Sequence, residues 1–307
     1  MKTAFISHDD CSHHDMGYGH PESPARLGAI LNQLQDTRLM QDLEFVRAES
    51  VDPSAVRRVH PATYIQQLDL LQPEKGRIMC DGDTLMMKDT MRAVKLAAGA
   101  AVQAVDMVLS GQNSNAFCAT RPPGHHAERN KTMGFCFYNN IAIAAKHALE
   151  FHGLERVAII DFDVHQGNGT VDIFENDPRV LVCSSFQHPC YPYSHHMSYA
   201  ENIINTPLAA GAQGVHFRAN VESDWLNKLQ NHRPQLLLIS AGFDAHKDDP
   251  LGELELVEDD YRWVTRMIMD VAKTYARGRV VSCLEGGYNL KALASSVEAH
   301  IQTLSGY

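Results

Sequence analysis

Residues 156–170 read RVAIIDFDVHQGNGT, an apolar run that ends in two aspartates, a histidine and a pair of glycines. A continuous apolar run of this kind suits a strand buried on both faces, as in a parallel sheet covered by helices on each side. LLLIS at residues 236–240 has the same character. Working outward, the pattern predicts strands at Thr3–Ser7, Glu44–Val46, Asn115–Ala119, Arg156–Asp161, Val180–Ser184, Asn202–Asn205, Gln235–Ser240 and Arg279–Leu284. Between them, Asp89–Ser110 has small and apolar residues at three- to four-residue spacing and stops at Gly111, which suits a left-handed C-cap. Asn139–Phe151 ends before Gly153 in the same way, and Glu258–Tyr275 and Leu290–Leu304 are the remaining predicted helices. Strand–helix alternation along the whole chain predicts one α/β domain over residues 1–307, with helices on both faces of a mostly parallel sheet.

Composition narrows the class. The 307 residues are 44% hydrophobic and 21% charged, ordinary values for a globular protein. No apolar stretch of membrane-spanning length is expected, and the N-terminal MKTAFISHDDC is too short in its apolar part for a signal peptide, so a cytoplasmic protein with no membrane partner is expected. The net charge of −10 disfavours nucleic acid, which needs a positive surface, and tolerates a cationic substrate. Seven cysteines without a C-x-x-C pair suggest neither a disulfide framework nor a cysteine zinc site. Seventeen histidines is a high count. Histidine-rich loops accompany metal chemistry, although most such residues are simply solvated.

In open α/β sheets the site lies beyond the carboxyl ends of the strands. There the sequence offers Arg121-Pro-Pro-Gly-His125-His126-Ala-Glu128, Asp161-Phe-Asp163-Val-His165-Gln-Gly-Asn168, Ala241-Gly-Phe-Asp244 and Glu285-Gly-Gly-Tyr288-Asn289. Four strands thus deliver acids, histidines and a tyrosine to one predicted edge. Alternation along extended backbone puts Asp161, Asp163 and His165 on one side. Two carboxylates and an imidazole suit a divalent metal; a solvated or arginine-paired strand end is the plainer alternative. The apolar residues before Asp161 and Asp244 place these acids near the core, where unpaired carboxylates need a cation. Asp163, His165 and Asp244 with a fourth position open would form a catalytic zinc site. Amide hydrolysis also needs a base for the attacking water and an acid for the leaving amine, roles that histidines 125 and 126 can fill. Asp161 is the natural partner of one imidazole and neutral Asn168 of the other, while the Tyr288 hydroxyl can donate to an oxyanion.

With these residues assembled, the chain resembles the histone deacetylase family, in its class II-like bacterial amidohydrolase branch. The resemblance runs from H-P-E-x-P-x-R-L at His20–Leu27 through R-P-P-G-H-H-A-E, G-F-C at Gly134–Cys136, D-x-D-x-H-x-G-N-G-T at Asp161–Thr170 and S-A-G-F-D at Ser240–Asp244 to L-E-G-G-Y-N at Leu284–Asn289. It implies an arginase-like three-layer α/β/α sandwich around an eight-stranded parallel sheet. It also implies one Zn2+ on Asp163, His165 and Asp244, with His126 as general base and then acid. His125 is paired with Asp161, Asn168 holds His126, and Tyr288 polarises the carbonyl. Gly134, Phe135, Tyr191 and Leu251 are the implied substrate-binding residues of a narrow tunnel. One implied potassium site uses Asp161, Asp163, His165, Ser184 and Ser185; a second uses backbone at Phe174, Asp177 and Val180. The implied substrate is an acylated lysine or small acylated amine, and the chain is allowed to form oligomers.

Two departures stand out. Ser184-Ser-Phe-Gln187 replaces the family's usual S-L-H-x at the tunnel wall and first cation site. In Asp249-Pro-Leu251-Gly252, leucine stands where eukaryotic polyamine-specific relatives carry glutamate, which favours a neutral peptide or small acyl substrate over an acetylpolyamine. Acetylpolyamine hydrolysis remains the alternative, since bacterial relatives reach that specificity by other means. A two-manganese ureohydrolase needs a further ligand after His165, where this chain has Gln-Gly-Asn168, and a silent acyl-lysine-binding module is at odds with retention of Tyr288 and both histidines.

Overall fold

A computed structural model describes residues 2–198 and 200–306. In chain order the strands are β1 (Thr3–Ser7), β2 (Leu43–Arg47), β3 (Arg77–Met79), β4 (Leu85–Met87), β5 (Asn115–Cys118), β6 (Val157–Asp161), β7 (Val180–Gln187), β8 (Ile203–Leu208), β9 (Leu236–Ala241) and β10 (Val280–Leu284). The helices are α1 (Ala25–Asp36), α2 (Pro53–Arg57), α3 (Ala62–Leu71), α4 (Thr90–Ser110), α5 (Asn140–Glu150), α6 (Asn168–Phe174), α7 (Gly214–His232), α8 (Glu258–Tyr275) and α9 (Leu290–Leu304). Eight strands form one sheet in the order β2-β1-β5-β10-β9-β6-β7-β8, every pair parallel. This is the three-layer α/β arrangement expected, and all eight predicted strands are present.

Strict alternation divides each strand between two cores. Ala4, Ile6, Ala116, Val157, Ile159, Leu236 and Val281 pack toward α4 and α5. Phe5, Phe117, Ala158, Ile160, Leu237, Ile239 and Val280 pack on the other face with Trp225, Tyr261 and Ile301 of α7, α8 and α9. Each such side chain contributes about 1.5–3 kcal/mol by leaving water. Gly111 caps α4 with φ 82°, the left-handed conformation expected of it.

Several elements were not predicted. Helices α1, α2, α3, α6 and α7 and the antiparallel β3–β4 hairpin lie in stretches read as connections. In α7 the buried residues Phe217, Val221, Trp225 and Leu229 form a single row between polar neighbours, too narrow a stripe to stand out. Strand β7 runs on past Ser184 to Gln187, which takes Ser185, Phe186 and Gln187 into the sheet. The expectation of no membrane-length apolar segment needs correction. Helix α4 is long and apolar enough by length and composition, because its few charges are spread out, but 67% of its most apolar window is buried inside the fold.

Candidate active site

The four polar segments predicted at the carboxyl edge meet there because β5, β10, β9 and β6 are neighbours in the sheet, although their sequence order is scattered. Asp163, His165 and Asp244 come together with one ligating atom from each within 4.8 Å of the others, all buried. His165 Nδ1 lies 3.0 Å from Asp163 Oδ1 and 3.2 Å from Asp244 Oδ2. The remaining oxygens are held by backbone: Asp163 Oδ2 accepts from Gly286 N (2.8 Å) and Asp244 Oδ1 from Val164 N (2.9 Å). Asp244 Oδ2 accepts no hydrogen bond although it is fully buried. A buried carboxylate oxygen without a donor is costly, and a cation is what this donor set fits. Close packing makes glycine obligatory around these acids. A Cβ on Gly242 would overlap Asp163 Oδ2, and one on Gly286 would overlap Asp244 Oδ2.

The two histidines have different partners, as the sequence predicted. His125 Nδ1 donates to Asp161 Oδ2 at 2.9 Å. Burial opposes a charge on His125, but Asp161, Asp163 and Glu285 together outweigh it and raise its pKa to about 10. His126 Nδ1 donates to Asn168 Oδ1 at 2.7 Å. The Asn168 amide is oriented by donating from Nδ2 to Glu128 Oε1 (2.8 Å) and His126 O (3.3 Å), so its oxygen must face His126. Burial and then the positive neighbours His125 and His165 hold His126 well below its usual pKa. Its Nε2 is therefore a free lone pair at neutral pH, which is what a proton acceptor needs.

These groups open into a cavity of about 260 Å³ lined by Asp83, His126, Gly134, Phe135, His165, Cys190, Tyr191, Tyr193, Leu251 and Tyr288. All four predicted substrate-binding residues, Gly134, Phe135, Tyr191 and Leu251, line it. Gly134 and Phe135 both take positive φ, 54° and 70°, a turn that aims the Phe135 ring at Tyr288, 5.9 Å away and edge-on. Tyr191 stands edge-on to His126 at 5.2 Å. Burial first, then Asp244, pushes the Tyr288 pKa well up, so its hydroxyl keeps its proton.

Sequence reasoning missed the groups that fix this edge. Asp249 Oδ2 accepts from Tyr288 N (2.6 Å) and Asn289 N (3.1 Å), while its Oδ1 accepts from Leu251 N (3.0 Å). Glu285 Oε2 accepts from Gly124 N (2.7 Å) and His125 N (3.1 Å), which pins the histidine loop. Arg26 donates to Glu285 O and Gly287 O and lies over the Tyr288 ring at 5.0 Å. Buried Glu22 pairs with both Arg26 and Arg121, tying the N-terminal motif to the histidine loop.

At the two expected cation positions, Ser184 pairs with Asp161 across β6 and β7, and its buried Oγ has no hydrogen-bond partner. The carbonyls of Phe174, Asp177 and Val180 also converge, but on the side-chain nitrogen of Asn202. A separate cluster, Asp106 with His147 and His152, has the composition of a metal site. There both Nε2–H groups donate to one Asp106 oxygen (2.7 and 2.6 Å) and Arg58 donates to His147 Nδ1 (3.1 Å), so the three groups are already joined by hydrogen bonds. All seven cysteines are free thiols.

Comparison with known proteins agrees with this architecture. The histone deacetylase domain profile matches residues 20–304. The chain is 36% identical to the histone deacetylase-like amidohydrolase of Pseudomonas aeruginosa, over 94% of this chain and 77% of that protein. It is 34% identical to a probable deacetylase of Archaeoglobus fulgidus, over 95% and 82% of the two chains. The crystal structure of the HDA15 HD domain superposes with a TM-score of 0.94 at 30% identity, covering 99% of this chain and 88% of that one. The chain belongs to the histone deacetylase family.

Proposed function

We propose that this protein is a zinc-dependent deacylase that hydrolyses the amide of Nε-acetyl-lysine or a similar acylated amine and releases acetate. The observation that carries the reading is the juxtaposition of a buried Asp163–His165–Asp244 cluster, with one carboxylate oxygen lacking a donor, and a neutral His126 whose Nε2 is free. A zinc ion bound by those three residues supplies Lewis acidity toward water and the amide carbonyl.

The chain's own groups do the rest. His126 Nε2 takes the proton of the attacking water and passes it to the leaving amine nitrogen. The Tyr288 hydroxyl donates to the carbonyl oxygen as negative charge develops there. His125, held positive by Asp161 and its neighbours, stabilises that charge without moving a proton. Gly134, Phe135, Tyr191 and Leu251 enclose the alkyl stem and exclude water from the scissile bond. The unpartnered Ser184 Oγ beside Asp161 supports a monovalent cation, potassium in our reading, beneath the site.

A panel of acetyl-lysine peptides, longer acyl-lysine peptides and acetylpolyamines, assayed with metal analysis, tests the reading. One zinc per chain with acyl-lysine turnover is expected. Two manganese ions per chain, or zinc with no turnover of any acylated amine, would overturn it. Acetylpolyamines hydrolysed far faster than peptides would shift the substrate assignment while leaving the chemistry intact.

A further inference from the structure

Helix α6 begins at Asn168, the residue that holds His126, and ends at Phe174. The last carbonyls of a helix have no partner within it, and they carry the negative end of its dipole. Here the Phe174 carbonyl converges with those of Asp177 and Val180, the residues that lead into β7. A hub of three carbonyl oxygens is electrostatically unfavourable unless something positive stands at its centre.

In this chain the centre is a side-chain amide. Asn202 Nδ2 lies 2.8 Å from Phe174 O, 3.2 Å from Asp177 O and 2.9 Å from Val180 O. All three partners are acceptors, so the amide must present its nitrogen. Its two N–H bonds serve the two closer oxygens, and the third receives a weaker, shared contact. The residue is held in place by its own backbone, because Asn202 O accepts from Val182 N at 2.8 Å at the start of β8. Phe174 O and Asp177 O each accept one further backbone N–H, from Asp177 and Val180. The hub is thereby satisfied by protein alone. A neutral amide also loses less hydration on entering it than a bare cation would.

We propose that Asn202 takes the place of a monovalent cation at this hub, so that the α6–β7 junction binds none and the anchoring of α6 does not depend on potassium. The consequence reaches the site through α6 itself: its far end carries Asn168, and the tether beneath His126 is built into the chain instead of being borrowed from solution. The inference stands independently of the deacylase reading, because it concerns cation count and not turnover.

The test is equilibrium binding of rubidium, as a potassium surrogate, to the zinc-loaded wild type and to the Asn202→Ala and Asn202→Asp variants. It is paired with melting temperatures in potassium chloride and choline chloride at equal ionic strength. Asn202→Ala is expected to bind one more rubidium per chain than wild type. It should melt lower than wild type in choline chloride and recover most of that loss in potassium chloride. If Asn202→Ala fails to fold, Asn202→Asp keeps the test open: its carboxylate opposes three carbonyls unless a cation bridges them, so its folding should require potassium. Equal rubidium counts in wild type and a folded variant, or a loss of stability that potassium does not restore in either variant, would overturn the proposal.

Discussion

The carboxylate of Asp249 accepts the backbone N–H of Tyr288 at 2.6 Å and that of Leu251 at 3.0 Å. One buried side chain therefore sets the position of a hydroxyl donor and of a residue that lines the pocket. Asp249→Ala leaves these amides without an acceptor and frees the Tyr288 segment. We expect kcat to fall on the order of 10²-fold, comparable to loss of an oxyanion donor, with zinc content unchanged. A variant that keeps its kcat would show that the Tyr288 segment is positioned by other contacts, Arg26 foremost.

Asp163→Ala and Asp244→Ala each remove an anionic ligand from a three-residue cluster. Both should lose bound zinc and activity together. Metal analysis alongside turnover checks this, and full activity with intact zinc in either variant would remove the ligand assignment. The Asp244 variant should lose less folding stability than the loss of a buried acid normally implies, because without metal its Oδ2 has no donor to lose.

Histidines 125 and 126 predict unequal mutants. His126→Ala removes the proton-transfer group and should cost about 10²–10⁴-fold in kcat/KM, more than His125→Ala. Asn168→Asp places an anion on His126 Nδ1 and raises its pKa. Because His126 accepts a proton only when neutral, activity is present above its pKa, and the acidic limb of the kcat/KM profile must move to higher pH. A limb that stays in place in Asn168→Asp, or a His125→Ala enzyme weaker than His126→Ala, contradicts the assignment of His126 as base.

Leu251→Glu puts a carboxylate in the pocket lining and should raise the rate on acetylpolyamines relative to acetyl-lysine peptides. If the two rates keep their wild-type ratio, Leu251 does not select the substrate.

Three buried histidines away from the cluster govern acid stability. Burial depresses the pKa of His14 to about 4, of His60 to about 4 and of His300 to about 3. Their unfolded value is about 6.5, so as pH falls the unfolded chain takes up protons first. Their contribution is complete above about pH 6.5 and is lost as pH drops toward 4, at up to about 1.4 kcal/mol per histidine per pH unit. His300 is bounded by Thr265 Oγ1 at 2.7 Å and Ser282 Oγ at 2.9 Å. His300→Gln should lower overall stability yet flatten its decline between pH 6.5 and 5, seen in urea midpoints. Parallel pH slopes for variant and wild type would show that His300 is charged in the folded state.

The sheet and most of the site were legible because both write themselves locally. An apolar run such as Ile159-Ile160 followed by Asp161 announces a strand and its carboxyl end at once, and four such junctions identified the edge. Residues that act by accepting backbone N–H groups left no such mark. Asp249 and Glu285 stand among other acids with no spacing to distinguish them, and their partners at Tyr288, Gly124 and His125 are far off in sequence. Asn202 is harder still, since nothing in the sequence Asn202-Ile-Ile-Asn205 shows that its amide reaches three carbonyls more than 20 residues earlier. Helices α1 and α7 were lost for a different reason, a buried stripe too narrow against polar neighbours.

The order β5-β10-β9-β6 has a bearing on biosynthesis. Strand β10, the last of the described strands in chain order, lies between β5 and β9 in the middle of the sheet and carries Tyr288 just past its end. A nascent chain halted before residue 280 has its histidine loop on one sheet fragment and its acidic cluster on another, with an open seam of unpaired strand edges between them. Such edges invite mispairing, and long-range parallel pairing is intrinsically slow. The candidate site therefore cannot be assembled on the sheet until β10 is in place.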